Sequence, residues 1–233
     1  WIDSESITAE NIEEQLAECS GIVVPGGFGS RGIEGKILTA DYCRRNNLPY
    51  LGICLGMQVA VIAFARYVCG ISDADSGEFN QDSANKVIDF LPDQSEETAK
   101  GGTLRLGAYP CRIAENTQMY RCYGTSDISE RHRHRYEFNN DYRDRLSDAG
   151  LVISGTSPDN YIVETVEIPD NDFYIGTLRQ GKFTRVKING TDRKLDESEH
   201  RVFEHHHQEI IDYRTFATVR SLRESRSTNN YRG

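Results

Sequence analysis

The sequence runs to 233 residues, with 27 Lys and Arg against 36 Asp and Glu, a formal net charge of −9 and 37% hydrophobic content. That is enough chain to bury the core of one sizeable α/β domain, and its acidic balance argues against a surface that tracks nucleic-acid phosphates. No apolar run approaches the ~20 residues of a membrane-spanning helix and no signal-peptide pattern opens the chain, so a cytoplasmic protein without membrane or nucleic-acid partners is expected.

Thr8 is placed to cap a helix carrying Ile12 and Leu16 on one face. Gly21-Ile22-Val23-Val24-Pro25 is a short continuous apolar run, as a strand buried on both faces requires. A glycine-rich turn, Gly26-Gly27-Phe28-Gly29, follows, and then a helical stretch with Ile37, Leu38 and Ala40 that ends near Asn46-Asn47. A second buried strand, Tyr50-Leu51-Gly52-Ile53, runs directly into a helix from Leu55 to about Val68. Strand, helix, strand, helix in that order predicts a parallel sheet covered on both faces. Beyond Gly70, residues 87–91, 103–113, 151–154, 162–167 and 173–177 read as strands, and 140–149 as a capped helix closed by Gly150. The polar segment 93–100 reads as a loop. From Lys182 onward apolar residues thin out, charges multiply and the run His205-His206-His207 appears. The expectation is one α/β domain over residues 1–222, with a mostly parallel central sheet, helices on both faces and a small antiparallel extension. Residues 223–233 are expected to form a disordered tail.

The strongest chemical signal is Gly52-Ile53-Cys54-Leu55-Gly56, set between a buried strand and a helix. It has the form of a nucleophile elbow with Cys in place of Ser, in which flanking glycines permit a tight turn that exposes the sulfur. The N–H groups of the helix that starts there favour the thiolate, and the Leu55 N–H points where an oxyanion would form. A free cysteine is more often plain core, and the other five (Cys19, Cys43, Cys69, Cys111 and Cys122) lack this setting. They form no CxxC pair and have no histidine at zinc spacing, so neither a disulfide framework nor a metal site is expected. In a parallel sheet the loop Pro25-Gly26-Gly27-Phe28-Gly29 lies on the same edge as Cys54, where its amides can supply a second oxyanion donor. By itself a glycine-rich turn is usually only a turn.

Three stretches resemble the class I glutamine amidotransferase domain of CTP synthase: PGGFGSRGIEGK (25–36), LGICLGMQVAVIAFAR (51–66) and ERHRHRYEFNN (130–140). GGTLRLGA (101–108), the turn Ser76-Gly77-Glu78-Phe79 and the opening WIDSE support it at the expected spacings, over roughly residues 1–178. The resemblance implies a flavodoxin-like α/β fold and hydrolysis of glutamine to ammonia for CTP formation from UTP. It makes Cys54 the nucleophile that becomes a glutamyl thioester. Gly27 and Leu55 match the oxyanion amides, and Gly26 and Phe28 shape their loop. Gln58, Glu78 and Arg135 match the positions that hold the amino-acid end of glutamine. A carboxylate suits an α-ammonium and a guanidinium suits an α-carboxylate, although Glu78 alone would read as a solvated charge and Arg135 as part of a basic patch. No cofactor is implied for this domain. ATP and magnesium belong to the family's synthetase domain, GTP is an activator, and assembly runs mainly through that domain. The family's first strand and helix precede WIDSE, so a fragment beginning inside the fold is expected.

The pattern breaks after residue 178. The family's nucleophile is served by a His-Pro-Glu in a stretch resembling GTQFHPEF, where this chain reads Gly176-Thr177-Leu178-Arg179-Gln180-Gly181-Lys182-Phe183. Gln180 cannot shuttle a proton, and Lys182 cannot orient an imidazole as an anion does. His132 and His134 lie in the stretch that in the family supports substrate binding and activation, not base catalysis, and His200, His205, His206 and His207 read as solvated. Two readings therefore stand: a glutaminase with impaired turnover, or a non-catalytic glutamine-binding or scaffolding domain. A γ-glutamyl peptidase of the same superfold is disfavoured by ERHRHRYE.

Overall fold

A computed structural model describes residues 2–90 and 105–178, together with three short strands at 185–188, 191–194 and 209–212. The chain opens with strand β1 (Ile2–Asp3), then alternates α1 (Ile12–Leu16), β2 (Ile22–Val24), α2 (Ile33–Arg45), β3 (Tyr50–Ile53) and α3 (Leu55–Tyr67). There follow β4 (Ala74–Ser76), β5 (Asn85–Asp89), β6 (Arg105–Ile113), α4 (Gln118–Tyr123), β7 (Asp127–His134) and β8 (Glu137–Phe138). Then come α5 (Arg143–Asp148), β9 (Val152–Thr156), β10 (Val163–Glu167), β11 (Tyr174–Thr177), β12 (Arg185–Ile188), β13 (Thr191–Lys194) and β14 (Glu209–Asp212).

The main sheet has the order β1-β14-β2-β3-β11-β10-β9-β6-β7. Its centre is parallel: β3 pairs in register with β2 on one side and with β11 on the other. The fold class is α/β as expected, with an antiparallel part more extensive than the small extension the sequence suggests. β10, β9, β6 and β7 add antiparallel strands beyond β11, and β14 and β1 add two more beyond β2. β6 and β7 form a long ladder from Arg105↔His134 to Arg112↔Asp127. A three-stranded sheet, β4-β5-β8, lies apart from the main one.

Alternation along the central strands feeds two cores. Ile22, Val24, Tyr50 and Tyr174 pack with α2 and α3 on one face, while Val23, Leu51, Ile53 and Ile175 pack with Met119 of α4 on the other. Helix α3 is buried from Leu55 to Ala65, which explains its almost unbroken apolar sequence. The Tyr50 and Tyr174 rings stack at 4.6 Å, with the Tyr50 hydroxyl donating to Gly56 O at 2.8 Å and the Tyr174 hydroxyl to Ala40 O at 3.1 Å. Helix α4 has no apolar stripe to recommend it. It starts because Thr117 caps it and because the buried carboxylate of Glu167 accepts the Gln118 and Met119 N–H groups at 2.8 and 3.0 Å. Glu167→Ala is expected to destabilise the protein by about 2–3 kcal/mol, read from urea unfolding, because it leaves buried N–H donors unmet.

Candidate active site

Cys54 sits between β3 and α3 at φ 53° and ψ −104°, a left-handed conformation that a side chain adopts at a cost of about 1–3 kcal/mol. Backbone bonds hold it there: Cys54 N–H donates to Thr177 O at 2.7 Å, and Gln58 N–H donates to Cys54 O at 3.2 Å. The two glycines of the motif serve close approach, not unusual dihedrals. A Cβ at Gly52 would lie 2.4 Å from Gly56 O, and one at Gly56 would lie 2.1 Å from Val24 O. The helix can thus start directly on the strand edge, with Cys54 at the turn.

Cys54 opens onto a cavity of about 400 Å³ lined by Gly27, Phe28, Gln58, Glu78, His134, Arg135 and Tyr136. That volume suits a small polar ligand. The loop after β2 supplies Gly27 and Phe28, the first turn of α3 supplies Gln58, the turn after β4 supplies Glu78, and the β7–β8 connection supplies Arg135 and Tyr136. Phe28 lines the cavity while 57% exposed, so it marks the opening. Gly26 and Leu55 are buried beside this lining and do not form part of it. The Glu78 carboxylate accepts the Gly29 N–H at 2.9 Å and so ties the glycine loop to the far wall. Burial pushes the Glu78 carboxyl pKa up, against the opposing pull of the Gly29 N–H and the Arg135 guanidinium. Gln58 Nε2 donates to Tyr136 O at 3.0 Å, which fixes the β7–β8 connection against α3.

His134 was absent from the expected set and is brought to the nucleophile. Its imidazole lines the cavity with Cys54, and its Nε2 lies 2.9 Å from Glu137 Oε1 across the turn. Burial works against protonation of the ring, but the Glu137 carboxylate and the Cys54 sulfur outweigh it and raise the pKa to about 10. Beside it His132 Nε2 lies 3.4 Å from Glu164 Oε2, and the two imidazoles meet edge to face at 5.3 Å. The signal that could have found His134 is the alternation along β7, where Arg131 is exposed and His132 and His134 are buried. Gln180, Lys182, His200 and His205–His207, like the segment 93–100 and the tail after 222, lie outside the described residues.

Matched against known families, residues 2–177 fit Glutamine amidotransferase class-I, and residues 142–226 fit Recombinase. The chain is 55% identical over 183 residues to the CTP synthase of Carboxydothermus hydrogenoformans, covering 78% of this chain and 34% of that protein. It is 56% identical over 175 residues to the CTP synthase of Staphylococcus aureus, covering 75% of this chain and 33% of that one. The chain thus spans about a third of the length of these relatives. Among solved structures, the glutaminase domain of Trypanosoma brucei CTPS with bound acivicin is 39% identical, with a TM-score of 0.72 over 77% of this chain and 71% of that one.

Proposed function

Since the chain belongs to the class I glutamine amidotransferases, as the glutaminase domain of a CTP synthase, we propose that it binds L-glutamine in the Cys54 cavity and hydrolyses the carboxamide through a Cys54 thioester. The observation that carries this reading is the convergence, in one cavity of about 400 Å³, of an elbow cysteine with Gln58, Glu78 and Arg135. Arg135 takes the α-carboxylate in a fork of donors and Glu78 takes the α-ammonium. A carboxylate accepts at both oxygens, so Glu78 can hold Gly29 and the ammonium together. The Gly27 and Leu55 N–H groups meet the oxyanion that forms as sulfur attacks the amide carbon, with Gly26 and Phe28 shaping the loop. The ammonia released is passed to a synthetase domain that uses ATP and magnesium to make CTP from UTP, with GTP as activator.

A second reading, glutamine binding without turnover, is favoured by Gln180 and Lys182 at the positions of the family's His and Glu. Ammonia release from glutamine separates the two. Binding itself is tested with a glutamine-shaped halomethyl ketone, which should add covalently to Cys54 by mass spectrometry. Arg135→Ala should slow that addition at low reagent concentration by about 10- to 150-fold, the worth of one charge-assisted carboxylate contact at roughly 1.5–3 kcal/mol. Unchanged labelling would remove Arg135 from the α-carboxylate site.

A further inference from the structure

We propose that His134, oriented by Glu137, is the acid–base group of the Cys54 nucleophile in this chain. The proposal rests on the glutaminase reading above and adds to it the group that moves the proton. Three observations meet at the site. The imidazole lines the same cavity as Cys54, whose sulfur favours its protonated form. Its Nε2 is engaged by Glu137 Oε1 at 2.9 Å, and both side chains are almost fully buried. Its other nitrogen, Nδ1, is buried with no hydrogen-bond partner. A carboxylate on one ring nitrogen and a sulfur beside the ring is the arrangement by which an activated cysteine is recognised, wherever its members come from in the chain.

The steps balance without any further reactant. The Cys54 thiolate attacks the carboxamide carbon, forming the C–S bond and an oxyanion. The His134 imidazolium gives its proton to the departing nitrogen as the C–N bond breaks, leaving ammonia, a glutamyl thioester and a neutral ring. The neutral ring then takes a proton from water as the water oxygen attacks the thioester carbon. The C–S bond breaks, the thiolate and imidazolium are restored, and the product carboxyl loses its proton to solvent. A ring held protonated up to about pH 10 starts this cycle in the correct state, as the acid that meets the departing nitrogen. The groups facing it are Glu137 from β8, Cys54 from the elbow, His132 from its own strand, and Glu78 and Arg135 across the cavity. Glu137 acts only through the ring and is a positioning residue.

The test compares the full chain with His134→Gln and Glu137→Gln, following ammonia release, end-point labelling of Cys54 by the halomethyl ketone, and the pH profile of kcat/KM. The expected result is measurable turnover in the native chain that falls about 10²–10⁴-fold in His134→Gln while Cys54 still labels at long exposure. Glu137→Gln removes the carboxylate that keeps the ring protonated, so the alkaline limb of its profile should move to lower pH; this second variant decides the matter if His134→Gln does not fold. Equal turnover in His134→Gln, an unmoved alkaline limb in Glu137→Gln, or a native chain that labels but releases no ammonia would each overturn the dyad and leave the glutamine site standing. A native chain that neither labels nor turns over would overturn the glutaminase reading itself.

Discussion

Cys54→Ala is expected to cut ammonia release from glutamine by at least about 10⁴-fold, the scale on which an enzyme loses its nucleophile. The oxyanion amides and the pocket survive such a change, but without sulfur there is no bond to the carboxamide carbon and no thioester for water to resolve. Folding should hardly notice. An alanine keeps a Cβ at φ 53°, so it inherits the same backbone cost without adding to it, and the hydrogen bonds that hold the elbow are made by main-chain atoms. Glutamine affinity measured by calorimetry should therefore stay near its native value while turnover vanishes. Cys43→Ala provides the contrast. That thiol lies fully buried on the core face of α2 and burial pushes its pKa well up, so its loss should cost stability and leave the chemistry alone. Residual turnover in Cys54→Ala comparable to that of Cys43→Ala would place the nucleophile elsewhere.

What the sequence made legible follows from where its information is local. β2, β3 and β11 are short apolar runs whose burial on both faces leaves no room for ambiguity, and the elbow is spelled out by Gly52, Cys54 and Gly56 because a Cβ on either glycine would stand only 2.4 or 2.1 Å from a backbone carbonyl oxygen. His134 was not legible for the opposite reason. β7 turns histidines inward where a buried strand ordinarily shows apolar residues, so Arg131-His132-Arg133-His134 reads as a basic patch. Its partner Glu137 is three residues on, a spacing that suggests a helix face, yet the two meet because the chain bends at Arg135 between β7 and β8. Helix α4 hid in the same way, since the carboxylate that caps it comes from β10, 49 residues along the chain. β14 hid as well: Glu209–Asp212 lies in a stretch read as charged and solvated, and it pairs with β2 through Ile211↔Val23. Contacts of this kind are tertiary, and composition carries no trace of them.

Gly56→Ala should be strongly damaging for so conservative a change, and it tests how tightly the elbow is built. The new Cβ would stand 2.1 Å from Val24 O and 3.1 Å from Val24 Cβ. No rotamer relieves a clash between a Cβ and a backbone carbonyl, so the start of α3 must retreat from β2. That helix is buried along its length and its first turn carries the Tyr50 hydrogen bond to Gly56 O, so the retreat opens the core beneath it. A loss of about 3 kcal/mol or more in urea unfolding is expected, at or beyond the upper end of ordinary overpacking. The same shift carries Cys54 and the Leu55 N–H away from Gly27, and a displacement near 1 Å is worth about 10²-fold in rate, so halomethyl ketone labelling should slow by at least that factor. Gly70→Ala calibrates the result: Gly70 has φ 68° with nothing within 4 Å of the new Cβ, so it pays only the left-handed backbone penalty of about 1–2 kcal/mol and leaves labelling unchanged. If Gly56→Ala melted and labelled like Gly70→Ala, the helix would not be seated on the Val24 carbonyl, and the account of why this motif needs its second glycine would fail.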